Sequence, residues 1–245
     1  VCPMTTFEIL LQQIGLFVIY ILAGVILVRT KVLNRGTLEP ISKFVIKMAL
    51  PVMIFINIID GVNKEILTGS WSILLIAAGF YVVMFLVSFG MAKFFHLPED
   101  RAGICQAMML FGNIGFMAVP VISSVFPGNG ILYVSVFMIF DQLMLWTLGV
   151  KLTTPPGSGG FELKKLINPA TVAILIGMLL MLTGVRIPAL LDTGLQKIGA
   201  TASPLAMIYV GGIFAELPLK KYLKELSLYG IVLVRMLLAP LLMFF

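Results

Sequence analysis

Long apolar runs recur along this sequence, and they constrain its fold more than any other feature. A helix needs roughly 20 mostly apolar residues to cross the hydrocarbon core of a bilayer. The runs do not alternate apolar with polar residues, as membrane β-strands do. The sequence therefore predicts an all-α membrane protein with eight transmembrane helices, at Phe7–Val28, Pro40–Ile59, Trp71–Phe94, Gly103–Phe126, Ile131–Leu152, Pro169–Val185, Leu190–Leu217 and Leu226–Phe245.

The composition excludes several other classes of protein. Charged residues make up only 11% of the chain, whereas a soluble domain carries about a quarter. The net charge is +6, but the basic residues lie in short loops between apolar runs, so we expect no binding to nucleic acid. His96 is the only histidine, and Cys2 and Cys105 have no metal-ligand spacing. We therefore expect no metal, no cofactor and no disulfide.

The distribution of Lys and Arg predicts the orientation in the membrane. Thirteen of the 17 basic residues lie in or beside the loops that follow the first, third, fifth and seventh segments. The opposite loops hold only Lys64, Arg186 and Lys197. Because cytoplasmic loops are enriched in Lys and Arg, we expect the N-terminus outside and the long middle loop inside.

The middle loop divides the chain into two parts. We expect a first five-helix repeat at 1–152, a Pro/Gly-rich cytoplasmic linker at 153–168, and the first three helices of a second repeat at 169–245. Pro51 and Pro204 each lie in the second span of their part. An odd number of helices inverts the second part, and inverted repeats with interrupted helices are typical of secondary transporters. The alternative is coincidence, since proline is common in membrane helices.

The fourth segment contains the densest group of candidate site residues. Gly112, Asn113, Gly115 and Pro120 fall within nine residues at membrane depth. Proline removes a backbone donor and clashes with the preceding turn, so we expect the helix to break near the middle of the bilayer. The freed backbone groups can then face a substrate, provided that protein or water shields them from lipid. The alternative is an intact, kinked helix whose glycines allow tight packing.

Three polar residues within apolar spans are further candidates for substrate binding. Asp141 and Arg235 are charged, and a charge inside the membrane usually faces a cavity or a partner. Arg235 could attract an anion, and Asp141 could carry a proton or pair with Arg235; a structural ion pair, or an arginine that reaches the interface, is the alternative. Gln106, like Asn57, could equally be a hydrogen-bonding contact between helices.

No catalytic motif is present, so we do not expect an enzyme. The chain lacks a P-loop, so transport would depend on gradients or on the membrane potential. A receptor or assembly scaffold that transports nothing remains an alternative from another class, and in that case the fourth helix would be intact.

Several motifs, in order along most of the chain, resemble the auxin efflux carrier family. The most specific is a Gly-Asn-x-Gly-Phe…Pro segment, and the others support it in combination. The matching stretches are Phe111-Gly112-Asn113-Ile114-Gly115-Phe116 through Pro120, Leu50-Pro51, Asn168-Pro169 through Ile187-Pro188 to Pro204-Leu205-Ala206, and Arg235 with Pro240.

The resemblance implies a carrier of organic-acid anions such as malate, malonate or auxin-like carboxylates, in the bacterial inner membrane. Members of the family have two inverted five-helix repeats, each with a proline-broken crossover helix at the substrate site, and Asn113, Gly115 and Pro120 match the first crossover. Helices one, two, six and seven would form a scaffold and the contact of a homodimer. The chain stops at Phe245 after its eighth span, so we expect a fragment without the second crossover. A sodium-coupled, bile-acid-type symporter of similar fold is the runner-up.

Overall fold

The structure is a computed structural model that describes residues 5–61, 71–112, 114, 122, 126, 129–154, 168–185, 187–218, 226–238 and 240–241. Its regular elements in these ranges are helices. They are α1 (Thr6–Arg29), α2 (Arg35–Phe44), α3 (Leu50–Gly61), α4 (Trp71–Phe94), α5 (Glu99–Leu110), α6 (Asn129–Met144), α7 (Val150–Thr153), α8 (Pro169–Thr183), α9 (Ala189–Ala200), α10 (Ala202–Glu216) and α11 (Leu226–Leu233). Short π-helical turns at Val45–Ala49, Leu145–Gly149 and Val234–Leu238 continue α2, α6 and α11.

The helices confirm an all-α membrane protein, and each of the eight predicted spans contains one. Within the described ranges, five spans are long and apolar enough to cross a bilayer, namely Phe7–Arg29, Arg35–Asp60, Trp71–Phe94, Val136–Thr153 and Ala189–Glu216. Two shorter apolar helices lie at Pro169–Thr183 and Leu228–Leu237. The fourth predicted span differs, because its helix begins and ends earlier than the apolar run suggests.

Two of the helical spans depart from regular α-helical geometry near a proline. Pro51 is the second residue of α3, directly after the π turn Val45–Ala49. Since proline has no N–H, the backbone shifts register there, and the Leu50 N–H bonds to the Val45 carbonyl. In the second half of the chain, Thr201 separates α9 from α10, and Pro204 lies in the first turn of α10.

The helices pack into two neighbouring groups. The first group contains α1, α2, α3, α8, α9 and α10, and the second contains α4, α5, α6 and α11. Helix α6 joins them, because its Val136 and Ile139 pack with Ile54 of α3 and Ile174 of α8. Helices from both sides of the middle loop therefore share one hydrophobic core. The core of the second group consists of Tyr81, Met84, Cys105, Met109, Leu110, Ile231 and Val234.

Two helix pairs make the most extensive contacts of the first group. Helix α1 packs along α10, and α8 packs along α3. At the α1–α10 crossing, a Cβ atom on Gly24 would overlap the Ile208 carbonyl, and one on Gly211 would overlap the Ile21 carbonyl. The two backbones therefore approach as closely as small residues allow, which is typical of packing in membranes.

Candidate functional site

Helix α5 is too short to cross a bilayer. It has 12 residues, which corresponds to about 18 Å at 1.5 Å per residue, well short of the ~30 Å hydrocarbon core. It begins at Glu99, directly after Pro98 and four residues before the predicted start at Gly103. After Leu110 the backbone becomes extended at Phe111 (φ −97°, ψ 133°). The predicted break in the fourth span therefore starts two residues before Gly112.

The guanidinium of Arg235 caps this helix end. Arg235 lies in the π turn Val234–Leu238, and its Nη1 donates to the carbonyl oxygens of Met109 and of Leu110, the latter at 3.0 Å. The last carbonyls of a helix lack partners within the helix, and a cation at this negative end is favourable. Arg235 thus satisfies backbone groups that lipid could not.

Gly112 lies against the same guanidinium. A Cβ atom at Gly112 would overlap Nη2 of Arg235, so any larger residue there would displace the guanidinium from this position. The other residues of the predicted group, Asn113, Gly115 and Pro120, lie outside the described residues. The half-helix N-terminus expected after the break also falls on that part of the chain.

Asp141 lies on α6 with its side chain buried, and polar groups surround it. Only 1% of the residue is exposed. The Tyr81 hydroxyl of α4 donates a hydrogen bond to Asp141 Oδ1, and Gln142 Nε2 donates to Oδ2 at 3.4 Å. Trp146 Nε1 donates in turn to Gln142 Oε1 at 3.3 Å. The carboxylate therefore has local partners, which a buried charge requires.

Aromatic rings connect Asp141 to the broken end of α5. The ring of Tyr81 lies 5.8 Å from that of Phe111 and 5.6 Å from that of Phe140, centroid to centroid. Aromatic pairs at such distances are mutually stabilising. Phe111 is the first residue after α5, so Tyr81 contacts both the opened backbone and the buried carboxylate. Tyr81 is not among the site residues predicted from the sequence. The signal that points to it is a hydroxyl-bearing ring near the middle of the span Trp71–Phe94.

Asp141 and Arg235 do not form the direct ion pair that the sequence left open. Arg235 bonds to carbonyls, and Asp141 bonds to Tyr81 and Gln142. The two charges still attract each other across the site. Gln106 is buried on α5, one turn before Leu110. The site thus brings together Arg235, Gly112 and the end of α5, with Asp141 behind Tyr81.

Comparison with known proteins shows what kind of chain carries this geometry. The sequence pattern of the family described as membrane transport protein matches residues 9–160 and 158–245. The chain belongs to this membrane transport protein family. Its membership confirms the resemblance to the auxin efflux carriers.

Curated relatives of this membrane transport protein are bacterial. The uncharacterized transporter YfdV of Escherichia coli (strain K12) is 25% identical over 206 residues, covering 79% of this chain and 65% of the relative. Its counterparts in Escherichia coli O157:H7 and Shigella flexneri match equally well. The chain thus spans 65% of the length of these relatives. It is an integral, multi-pass membrane protein, and its bacterial relatives indicate the inner membrane.

The described residues of this chain contain no candidate metal site. Within the ranges that the structure describes, no group of three His, Cys, Asp or Glu residues could hold a metal ion. Cys105 is buried and free of any disulfide there, and His96 is exposed at the turn after α4. The polar groups described at the end of α5 are backbone carbonyls and the guanidinium of Arg235.

Proposed function

We propose that this protein is a secondary transporter, and not an enzyme, for small organic-acid anions such as malate, malonate or auxin-like carboxylates. One observation carries the proposal. Helix α5 stops at Leu110, too short to cross a bilayer, and the cation of Arg235 bonds to its last carbonyls. A broken helix at membrane depth is tolerated where protein or a water-filled cavity shields it, and it is a recurrent substrate site in carriers. The family to which the chain belongs supports the same reading.

We place the anion beside Gly112. Nη2 of Arg235 approaches Gly112 closely, so a carboxylate there would meet a positive group and open backbone. Asn113 would add an amide that can donate and accept, and the backbone around Gly115 and Pro120 would complete the site. In this proposal Gln106 and Asp141 line the inner side of the anion site and adjust the net charge of that site.

The chain's two parts, 1–152 and 169–245, would be inverted repeats joined by the cytoplasmic linker 153–168. Two observations support this arrangement. Each part has a second span that is interrupted next to a proline, Pro51 or Pro204. The packing is also reciprocal, because the first helix of each part, α1 or α8, lies along the second half of the interrupted span of the other, α10 or α3. A pseudo-twofold relation produces such pairs.

The group of α1, α2, α3, α8, α9 and α10 would serve as a scaffold, and the group around α5 would move against it. The outward face of α1 is strongly apolar, with Phe7 71% and Ile19 59% exposed. Such a face suits either lipid or a second copy of the chain. We therefore propose that a homodimer, where it forms, uses the scaffold.

The test is uptake by the full-length protein in proteoliposomes, with labelled malate, malonate and indole-acetate. We expect at least one anion to accumulate above empty vesicles. Gly112→Leu should abolish this uptake because the side chain collides with Arg235, while Gly79→Leu should not, since nothing lies within 4 Å of a Cβ atom there.

Two other outcomes would contradict the proposal in different ways. Uptake that requires a sodium gradient, and that prefers bile-acid-like anions, would favour the sodium-coupled symporter. Absence of any uptake, together with a Gly112→Cys side chain that water-soluble reagents cannot reach, would favour a scaffold or receptor with no water-filled crossing.

A further inference from the structure

The end of α5 has the features of a cation site built from backbone. Its last carbonyls point away from the helix without helical partners, and they lie at the negative end of the helix dipole. Within a membrane such carbonyls have to be satisfied by protein groups, by a bound cation or by water in a cavity. In transporters with broken helices, such carbonyls commonly coordinate a bound cation. Here the Met109 and Leu110 carbonyls are bonded to Arg235.

The guanidinium also lies against the chain that follows the helix. Gly112 is so close to Nη2 that a Cβ atom there would overlap it. The guanidinium is therefore in contact both with the last helix carbonyls and with the backbone at Gly112.

The other charge near this cation is that of Asp141, and its hydrogen bonds are made to other side chains. Asp141 is bonded to Tyr81 and Gln142, and does not form a direct pair with Arg235. The groups that bond to the guanidinium are therefore the carbonyls at the negative end of α5. The π turn at Val234–Leu238 places Arg235 there, with the helical backbone shifted ahead of Pro240.

We propose that Arg235 is a tethered cation, which occupies the place of a bound ion at the broken end of α5 and holds that end in shape. Arg235 then holds the end of α5 in position in addition to facing the anion. The proposal rests on the proposed function only in that this site is a substrate site. Removal of the side chain should leave a vacant backbone site that a small guanidinium compound can fill.

The test is the thermal unfolding midpoint of the full-length protein in detergent, in choline buffer with and without millimolar guanidinium. We expect Arg235→Ala to lower the midpoint by about 4 °C or more, and guanidinium to restore at least half of the loss. Arg35→Ala is the matched control, because Arg35 pairs with Glu216 at 2.6 Å but is 83% exposed. Its midpoint should not respond to guanidinium. Equal responses in both variants would overturn the proposal.

A second comparison separates charge from hydrogen bonding, and it applies even where Arg235→Ala fails to fold. Arg235→Lys keeps a positive charge, whereas Arg235→Gln keeps an N–H₂ donor without charge. A tethered cation requires the Lys variant to be the more stable of the two. A Gln variant as stable as the Lys variant would overturn the proposal.

Uptake measured on the same proteins distinguishes this proposal from the proposed function. Wild-type protein that carries no carboxylate, together with guanidinium rescue of Arg235→Ala, would reject the function and support the tethered cation. Wild-type uptake without any rescue would reject the tethered cation alone.

Discussion

The Tyr81 hydroxyl donates a hydrogen bond to the carboxylate of Asp141, and this bond joins α4 to α6 inside the membrane. Both residues are almost fully buried, at 4% and 1% exposure. The ring of Tyr81 also packs on Phe111, the first residue beyond α5. One side chain therefore links the buried charge to the broken helix, although the three residues are far apart in sequence.

Tyr81→Phe should destabilise the protein because it keeps the ring but removes a donor to a buried carboxylate. An unsatisfied buried partner costs about 1–3 kcal/mol, which lowers the Tm of a chain of this size by about 2–10 °C. Thermal unfolding in detergent measures the change. Tyr133→Phe is the matched control, because Tyr133 is 51% exposed and its Tm should stay near that of wild type. Equal Tm values for the two variants would show that the bond contributes nothing.

Gly24→Ala should disrupt the crossing of α1 with α10. The added methyl group would overlap the Ile208 carbonyl, and overpacking of this kind costs about 1–3 kcal/mol or more. Gly15→Ala lies on the same helix, with nothing within 4 Å of the new Cβ atom. It should be neutral or slightly stabilising, because alanine has the higher helix propensity. Comparison of the two Tm values checks the prediction, and a Gly24→Ala variant as stable as Gly15→Ala would refute the close approach.

Gly112→Ala and Arg235→Ala should be strongly coupled. The methyl group at position 112 displaces the guanidinium, so each single substitution removes the same contact with the end of α5. A double-mutant cycle on uptake rate and on Tm should therefore give an interaction energy of about 0.5–3 kcal/mol. Gly79→Ala, combined with Arg235→Ala, is the control and should be additive. Additivity for Gly112→Ala as well would mean that the two residues act independently.

Single cysteines should report the predicted orientation. In a background with Cys2 and Cys105 replaced by alanine, Val32→Cys lies in the turn after α1 and Leu190→Cys lies at the start of α9. Both positions are well exposed, at 64% and 88%. The bias of basic residues predicts that a membrane-impermeant maleimide, added to intact cells, labels position 190 and not position 32. The reverse pattern would place the N-terminus in the cytoplasm.

Most of the helical fold follows from the sequence, because apolar length alone decides whether a segment can cross a bilayer. The span Trp71–Phe94 is predicted to the residue, and α1 differs from its prediction by one residue at each end. The interruptions beside Pro51 and Pro204 also follow, since a proline cannot donate in the helix. The fourth span is less well predicted, because apolar composition continues where helical hydrogen bonding stops.

Apolar length and composition along the chain predict the helical class, the candidate break in the fourth span and two charges within apolar spans. The packing of the helices sets what those charges contact. It directs Arg235 to the carbonyls of Met109 and Leu110, and it bonds Asp141 to Tyr81. The physical reason is distance: apolar periodicity is a local property of the chain, whereas the partner of a buried charge is chosen by how helices more than 50 residues apart pack together.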